Sequence, residues 1–187
     1  MEKKPCTERR AAFELRAAGK DKLVGYAATF NAPSRDLGGF TEFVRPGAFK
    51  RSLASGADVV ALVGHNSSLI LGRRGAGTLN VFEDAKGLRF EIDVPPTQAG
   101  RDIMISVERG DVAGASFAFM VPEGRGQRWD FKAKPLAVRE LLDVDLLDVT
   151  VCANPAYEDT SVALRTLRSE TMPFLGRTLA RYHVDTL

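Results

Sequence analysis

Eight short runs rich in apolar, aromatic and β-branched residues, each bounded by turn-forming residues, recur along this chain: 22–30, 40–44, 58–63, 78–82, 88–94, 115–121, 128–132 and 138–152. The first, Lys22-Leu-Val-Gly-Tyr-Ala-Ala-Thr-Phe30, stops at the turn cluster Asn31-Ala-Pro-Ser34. Runs of this length and composition extend more readily than they coil, because branched and aromatic side chains pack well on a pleated surface. So many in one chain predict a mainly β fold, a barrel or a sandwich. In the last run the alternation is broken by Leu141-Leu142 and Leu146-Leu147, which predicts a bulge or bend near Leu146 or Leu147.

Two helices interrupt the strands. Pro46 to Ser55 opens on proline, ends before Gly56 and sets Phe49 and Leu53 four apart on one face. Thr97 to Arg109 carries Thr97 as N-cap, Ile103 and Val107 on one face, and Gly110 as its stop. The expected organisation is a charged leader over 1–20, one domain over 21–166 and a C-terminal tail over 167–187. The leader is read as a frayed helix or an added edge strand. In the tail, either the segment from Arg168 is a dispensable, self-removed tether or Leu175 to Tyr182 forms a docking helix.

With 187 residues and a net charge of +2, the chain can bury one core, and no basic excess points to nucleic acid. No apolar stretch is long enough to span a bilayer and the N-terminus lacks the apolar region of a signal peptide, so a cytoplasmic protein is expected. Cys6 and Cys152 are too few and too far apart for a disulfide framework, and the two histidines and two cysteines have no metal-ligand spacing. Neither metal nor cofactor is expected. Gly72-Arg-Arg-Gly75-Ala-Gly77 lacks the Gly-Lys-Ser/Thr ending of a phosphate loop and is read as a turn.

The chemistry-bearing residues are few. Of the two histidines, His183 falls in the tail and His65 follows the apolar run ending at Gly64. Imidazole is the side chain suited to general base work near neutrality. A small-residue turn, Gly110-Asp-Val-Ala-Gly114-Ala-Ser116, offers a hydroxyl nucleophile with glycines that let backbone amides approach an oxyanion. On the strand that follows, 117, 119 and 121 share one face while Ser116 shares the other with Ala118. Ser67 and Ser68 lie too close to His65 in sequence to act as its nucleophile and are read as turn caps. An acid is needed to fix the imidazole tautomer, and Glu140, Asp143, Asp145 and Asp148 are the candidates. Asp148 interrupts the most apolar stretch, where an unpaired carboxylate is costly, whereas Asp143 and Asp145 are assigned to a solvated face. The loop Pro122 to Arg128, following the serine strand, is expected to be mobile and to border a substrate cleft.

Several motifs, taken in order, resemble one family. They are Gly25-Tyr-Ala-Ala-Thr-Phe-Asn31, Glu42-Phe-Val-Arg-Pro-Gly-Ala-Phe49, His65 with Leu71-Gly-Arg73 and Gly77-Thr-Leu79, Gly87-Leu-Arg-Phe90, Arg109-Gly-Asp-Val-Ala-Gly-Ala-Ser-Phe117, and Leu147-Asp-Val-Thr-Val-Cys-Ala-Asn-Pro-Ala-Tyr157. Over about residues 22–165 the chain resembles the HK97-type prohead (capsid maturation) serine proteases of tailed phages. The resemblance implies a β barrel flanked by a few helices, similar to the herpesvirus assemblin proteases. It implies a serine endopeptidase with His65 as base, Ser116 as nucleophile and Asp148 as acid, Thr150 standing where the family has serine. It further implies action inside the assembling prohead in the host cytoplasm, the major capsid protein and its scaffold segment as partners, self-cleavage, and association into a homo-oligomer. The alternative is a non-catalytic module of the same fold that binds capsid or scaffold protein. The family often has Asp where this chain has Asn66.

Overall fold

The computed structural model describes residues 7–153 apart from position 13. Among them lie β1 (Glu8–Ala12), β2 (Glu14–Ala17), β3 (Lys22–Thr29), β4 (Phe40–Val44), α1 (Lys50–Ala54), β5 (Val60–Val63), β6 (Asn66–Arg73), β7 (Leu79–Glu83), β8 (Gly87–Asp93), α2 (Gln98–Glu108), β9 (Gly114–Met120), β10 (Gln127–Asp130), β11 (Ala137–Leu141) and β12 (Asp145–Cys152). The fold is mainly β, as the recurring runs predict. The strands order as β1-β9-β12-β5-β6, β10-β11-β4 and β2-β3-β8-β7. Pairing is antiparallel except for β12 with β5 and β11 with β4.

The expected barrel is not seen: among the described residues the strands form three open sheets, and no ladder closes any of them on itself. The reason lies where the chain changes sheets. Between β1 and β2 one residue separates a strand on β9 from a strand on β3. The run 138–152 is likewise two strands, because Leu142 and Asp143 turn away to donate their amides to the Gly126 carbonyl and Val144 donates to Ala48. β11 thus joins one sheet and β12 another. The anticipated bulge does occur, as a register shift between Leu146 and Asp148 against β9.

One core joins the sheets. Phe117 and Phe119 project from β9 into it, their rings 5.1 Å apart, and Phe49 meets Phe117 edge-on at 5.3 Å. Burying each such ring contributes about 1.5–3 kcal/mol. The opposite face of β9 is buried too, since Ser116 and Ala118 are covered. Helix α1 begins four residues later than the proline suggests: Gly47 takes a φ of 93°, which is not helical, and the Glu83 carboxylate accepts from the amides of Gly47 and Phe49. Helix α2 matches its sequence signals. Thr97 accepts from the Gly100 amide, Ile103, Met104 and Val107 are buried, and Gly110 leaves the helix at a φ of 81°.

Within the stretch read as a leader, β1 and β2 are edge strands of two sheets. Four charges tie β1 down. Arg139, fully buried on β11, holds Glu8 at 2.8 Å and Glu42 at 2.8 Å, and Arg10 donates to both carboxylates. Burial works against the Glu8 carboxylate, but hydrogen bonding and charge from Arg139, with help from Arg10, win and hold its pKa below the usual value. Residues 74–78 form the turn read from the glycine cluster, with Asp58 accepting from Arg73 and from the Gly75 amide. The C-terminal tail, His183 and Cys6 lie outside the described residues.

Candidate active site

Strands β5 and β6 are joined by a two-residue turn, Gly64-His65, with Val63 paired to Asn66 across it. Both residues have a φ of 55°. Two successive left-handed residues are the mark of the tight hairpin turn whose twist matches the strands it joins. Glycine adopts that conformation at no steric cost, whereas the histidine is strained by roughly 1–2 kcal/mol. Chain geometry therefore places the imidazole at the tip of a hairpin. Ser67 and Ser68 are not turn caps: β6 starts at Asn66, so both are exposed strand residues.

The neighbour of β5 on the other side is β12, and beyond it lies β9. Thr150 is opposite both Leu62 of β5 and Ser116 of β9. Asp148 and Thr150, two residues apart on one strand, face the same side. That side carries the histidine. His65 Nδ1 lies 2.8 Å from Asp148 Oδ1, and His65 Nε2 lies 2.9 Å from Ser116 Oγ. A carboxylate only accepts, so Nδ1 carries the proton and Nε2 is left as an acceptor toward the serine. The three residues named from the sequence are thus in one hydrogen-bonded line, and the carboxylate embedded in an apolar run has its partner.

Three contacts around this line involve main chain. The backbone N–H of His65 donates to Thr150 Oγ1 at 2.9 Å, and the Thr150 hydroxyl donates onward to the Leu62 carbonyl at 2.9 Å. Ser116 Oγ lies 2.7 Å from the Arg10 carbonyl of β1. One hydroxyl proton therefore has two acceptors in reach, the imidazole and a main-chain oxygen. Ser116 is 5% exposed.

The other acids are occupied elsewhere. Glu140 accepts from Arg45 and Arg128, and hydrogen bonding from Arg128, aided by Arg45 against the effect of burial, holds its pKa below the ordinary value. Asp143 is bound by Arg51 and, more loosely, Arg125, and Asp145 by Arg51, so both are ion-paired as well as partly solvated. Five residues, 117–121, separate Ser116 from the loop at Pro122, a span of about 20 Å if extended. Thr150 follows from Asp148 by the strand period of two, a signal present in the sequence. Arg10 gave none, because only tertiary pairing brings its carbonyl to the serine. No group of three or more His, Cys, Asp or Glu is gathered for a metal ion among the described residues, and none of their helices is long and apolar enough to cross a membrane.

A model of the family described as caudovirus prohead serine protease matches residues 10–173. Among solved structures, the bacteriophage T4 capsid assembly protease gp21 is similar in fold, with a TM-score of 0.56 and 6% sequence identity over 82% of this chain and 100% of that one. No curated protein matches the chain.

Proposed function

Because this chain belongs to the caudovirus prohead serine protease family, we propose that it is the endopeptidase that cleaves capsid and scaffold polypeptide during prohead maturation, with Ser116, His65 and Asp148 as its catalytic residues. The observation that carries this reading is the single line of hydrogen bonds from Asp148 through both nitrogens of His65 to Ser116. The solved neighbour, titled a capsid assembly protease, supports the same setting.

In the proposed reaction Ser116 Oγ attacks the scissile carbonyl carbon while its proton passes to His65 Nε2. The imidazolium so formed is stabilised by Asp148. As the tetrahedral intermediate collapses, the C–N bond breaks and Nε2 returns the proton to the departing amine. A water molecule then attacks the acyl-enzyme, giving a proton to His65. When the C–Oγ bond breaks, that proton returns to Ser116 and the acid product leaves. Backbone amides near Ser116 are proposed to hold the oxyanion. Self-cleavage and association into a homo-oligomer belong to the same proposal.

The near-complete burial of Ser116, whose hydroxyl also reaches the Arg10 carbonyl, favours the rival reading, a capsid-binding module that does not cut. Mass spectrometry of capsid protein co-expressed with this chain or with Ser116→Ala separates the two. Cleavage dependent on Ser116 supports the protease, and capsid protein left whole but co-purifying with both forms supports the module.

A further inference from the structure

Thr150 is buried in the strand that also carries Asp148, and where Asp148 and Ser116 contact the ring of the histidine, its side chain binds the backbone. Its hydroxyl accepts from the His65 N–H and donates to the Leu62 carbonyl, both at 2.9 Å. The two bonds run from Leu62 of β5 to the strained residue at the hairpin tip. We infer that Thr150 is a positioning residue for the reaction, holding His65 in its left-handed conformation so that the imidazole stays between Asp148 and Ser116. This rests on the catalytic reading of those three residues.

The physical case has three parts. A left-handed histidine is unfavourable by itself and persists where its surroundings over-determine it. Here its amide is held by one side chain, 1% exposed, whose hydroxyl is itself anchored on the Leu62 carbonyl. Second, the β-branched threonine is stiff about χ1, so the hydroxyl is presented with little loss of rotamer freedom. Third, β12 is flanked by the strands that carry the other groups, β5 leading to His65 and β9 holding Ser116. One strand therefore fixes the base twice, through its ring from Asp148 and through its backbone from Thr150. A displacement of about 1 Å at a reacting group costs on the order of 10²-fold in rate.

The test uses the full chain and a fluorophosphonate probe, which phosphonylates an activated serine with loss of fluoride. Thr150→Val, a near-isostere without the hydroxyl, is expected to label about 10²-fold more slowly, through the maximal rate and not through probe affinity. Thr150→Ser keeps the hydroxyl and should label close to wild type. Thr150→Cys, a poor hydrogen-bonding substitute, carries the comparison if the valine variant does not fold. Equal labelling of wild type and Thr150→Val, or equal impairment of the serine and valine variants, overturns the inference. Ser116→Ala and His65→Ala run in parallel keep the two readings apart. Should they label normally, the catalytic assignment itself fails; should they be dead while Thr150→Val is fully active, only the role of Thr150 does.

Discussion

Ser116 and Thr150 face each other across the β9–β12 ladder, and the same histidine is bound by both, the serine at its ring and the threonine at its amide. Every group around the imidazole is thus delivered by strand register, with no loop in between. Substitutions at these positions should therefore change chemistry with small effects on the fold.

Ser116→Ala and His65→Ala should each abolish cleavage of capsid protein, a loss on the order of 10⁴–10⁶-fold, while circular dichroism and melting stay near wild type. Processing that continues in either variant shows that the nucleophile or the base lies elsewhere.

Asp148→Asn should reduce activity by about 10⁴-fold without eliminating it, because serine, imidazole and oxyanion donors remain while tautomer control is lost. Asp145→Asn, whose carboxylate is held by Arg51, should keep most of its activity. Reversed results would name the wrong acid.

Glu8→Gln should destabilise the protein at pH 7 by on the order of 3–5 kcal/mol, since it leaves the fully buried Arg139 short of a charge partner. The sign of the pH dependence follows from the lowered pKa of Glu8. Its contribution is fully present above the unfolded carboxylate value, roughly pH 4.3, and is lost as pH falls through the lower folded value. Thermal melts of both forms should differ by a constant amount above about pH 5 and converge below about pH 4. A gap that widens on acidification contradicts this.

Gly64→Ala adds a Cβ that meets no atom within 4 Å, but at a φ of 55°. The cost should be conformational alone, about 1–2 kcal/mol, or a few degrees in Tm. Gly64→Asn, better suited to the left-handed region, should recover part of it. If alanine melts with wild type, the turn relaxes more readily than its geometry implies.

Much of the fold was legible because short apolar runs and helix caps are local signals. Helix α2 came out nearly to the residue, and the bulge near Leu147 was visible as a broken alternation. What failed was long-range. Nothing in Leu141 to Asp145 announces that the chain leaves one sheet for another, and the open sheets follow from such crossings. Strand β6 was hidden because its start, Asn66-Ser-Ser, reads as turn-forming while pairing decides otherwise. At the site, His65, Ser116 and Asp148 were each conspicuous, as a histidine in a body nearly free of them, a serine among small residues and a charge in an apolar run. The Arg10 carbonyl was illegible since main chain has no sequence identity. Thr150 stood in view as a motif position, but its bond to an amide depends on a turn conformation that composition does not reveal.

The place of β12 between β5 and β9 also sets a timetable. His65 is 51 residues from Ser116 and 83 from Asp148, and the two earlier residues ride on strands that are not neighbours until the last strand slides between them. A ribosome adding about 5–20 residues per second releases the hairpin with the imidazole first, then the serine strand, and only seconds later the strand that unites them. A nascent chain short of β12 holds His65 and Ser116 without the strand that lies between theirs, so the proposed site should assemble only after Cys152 has been made.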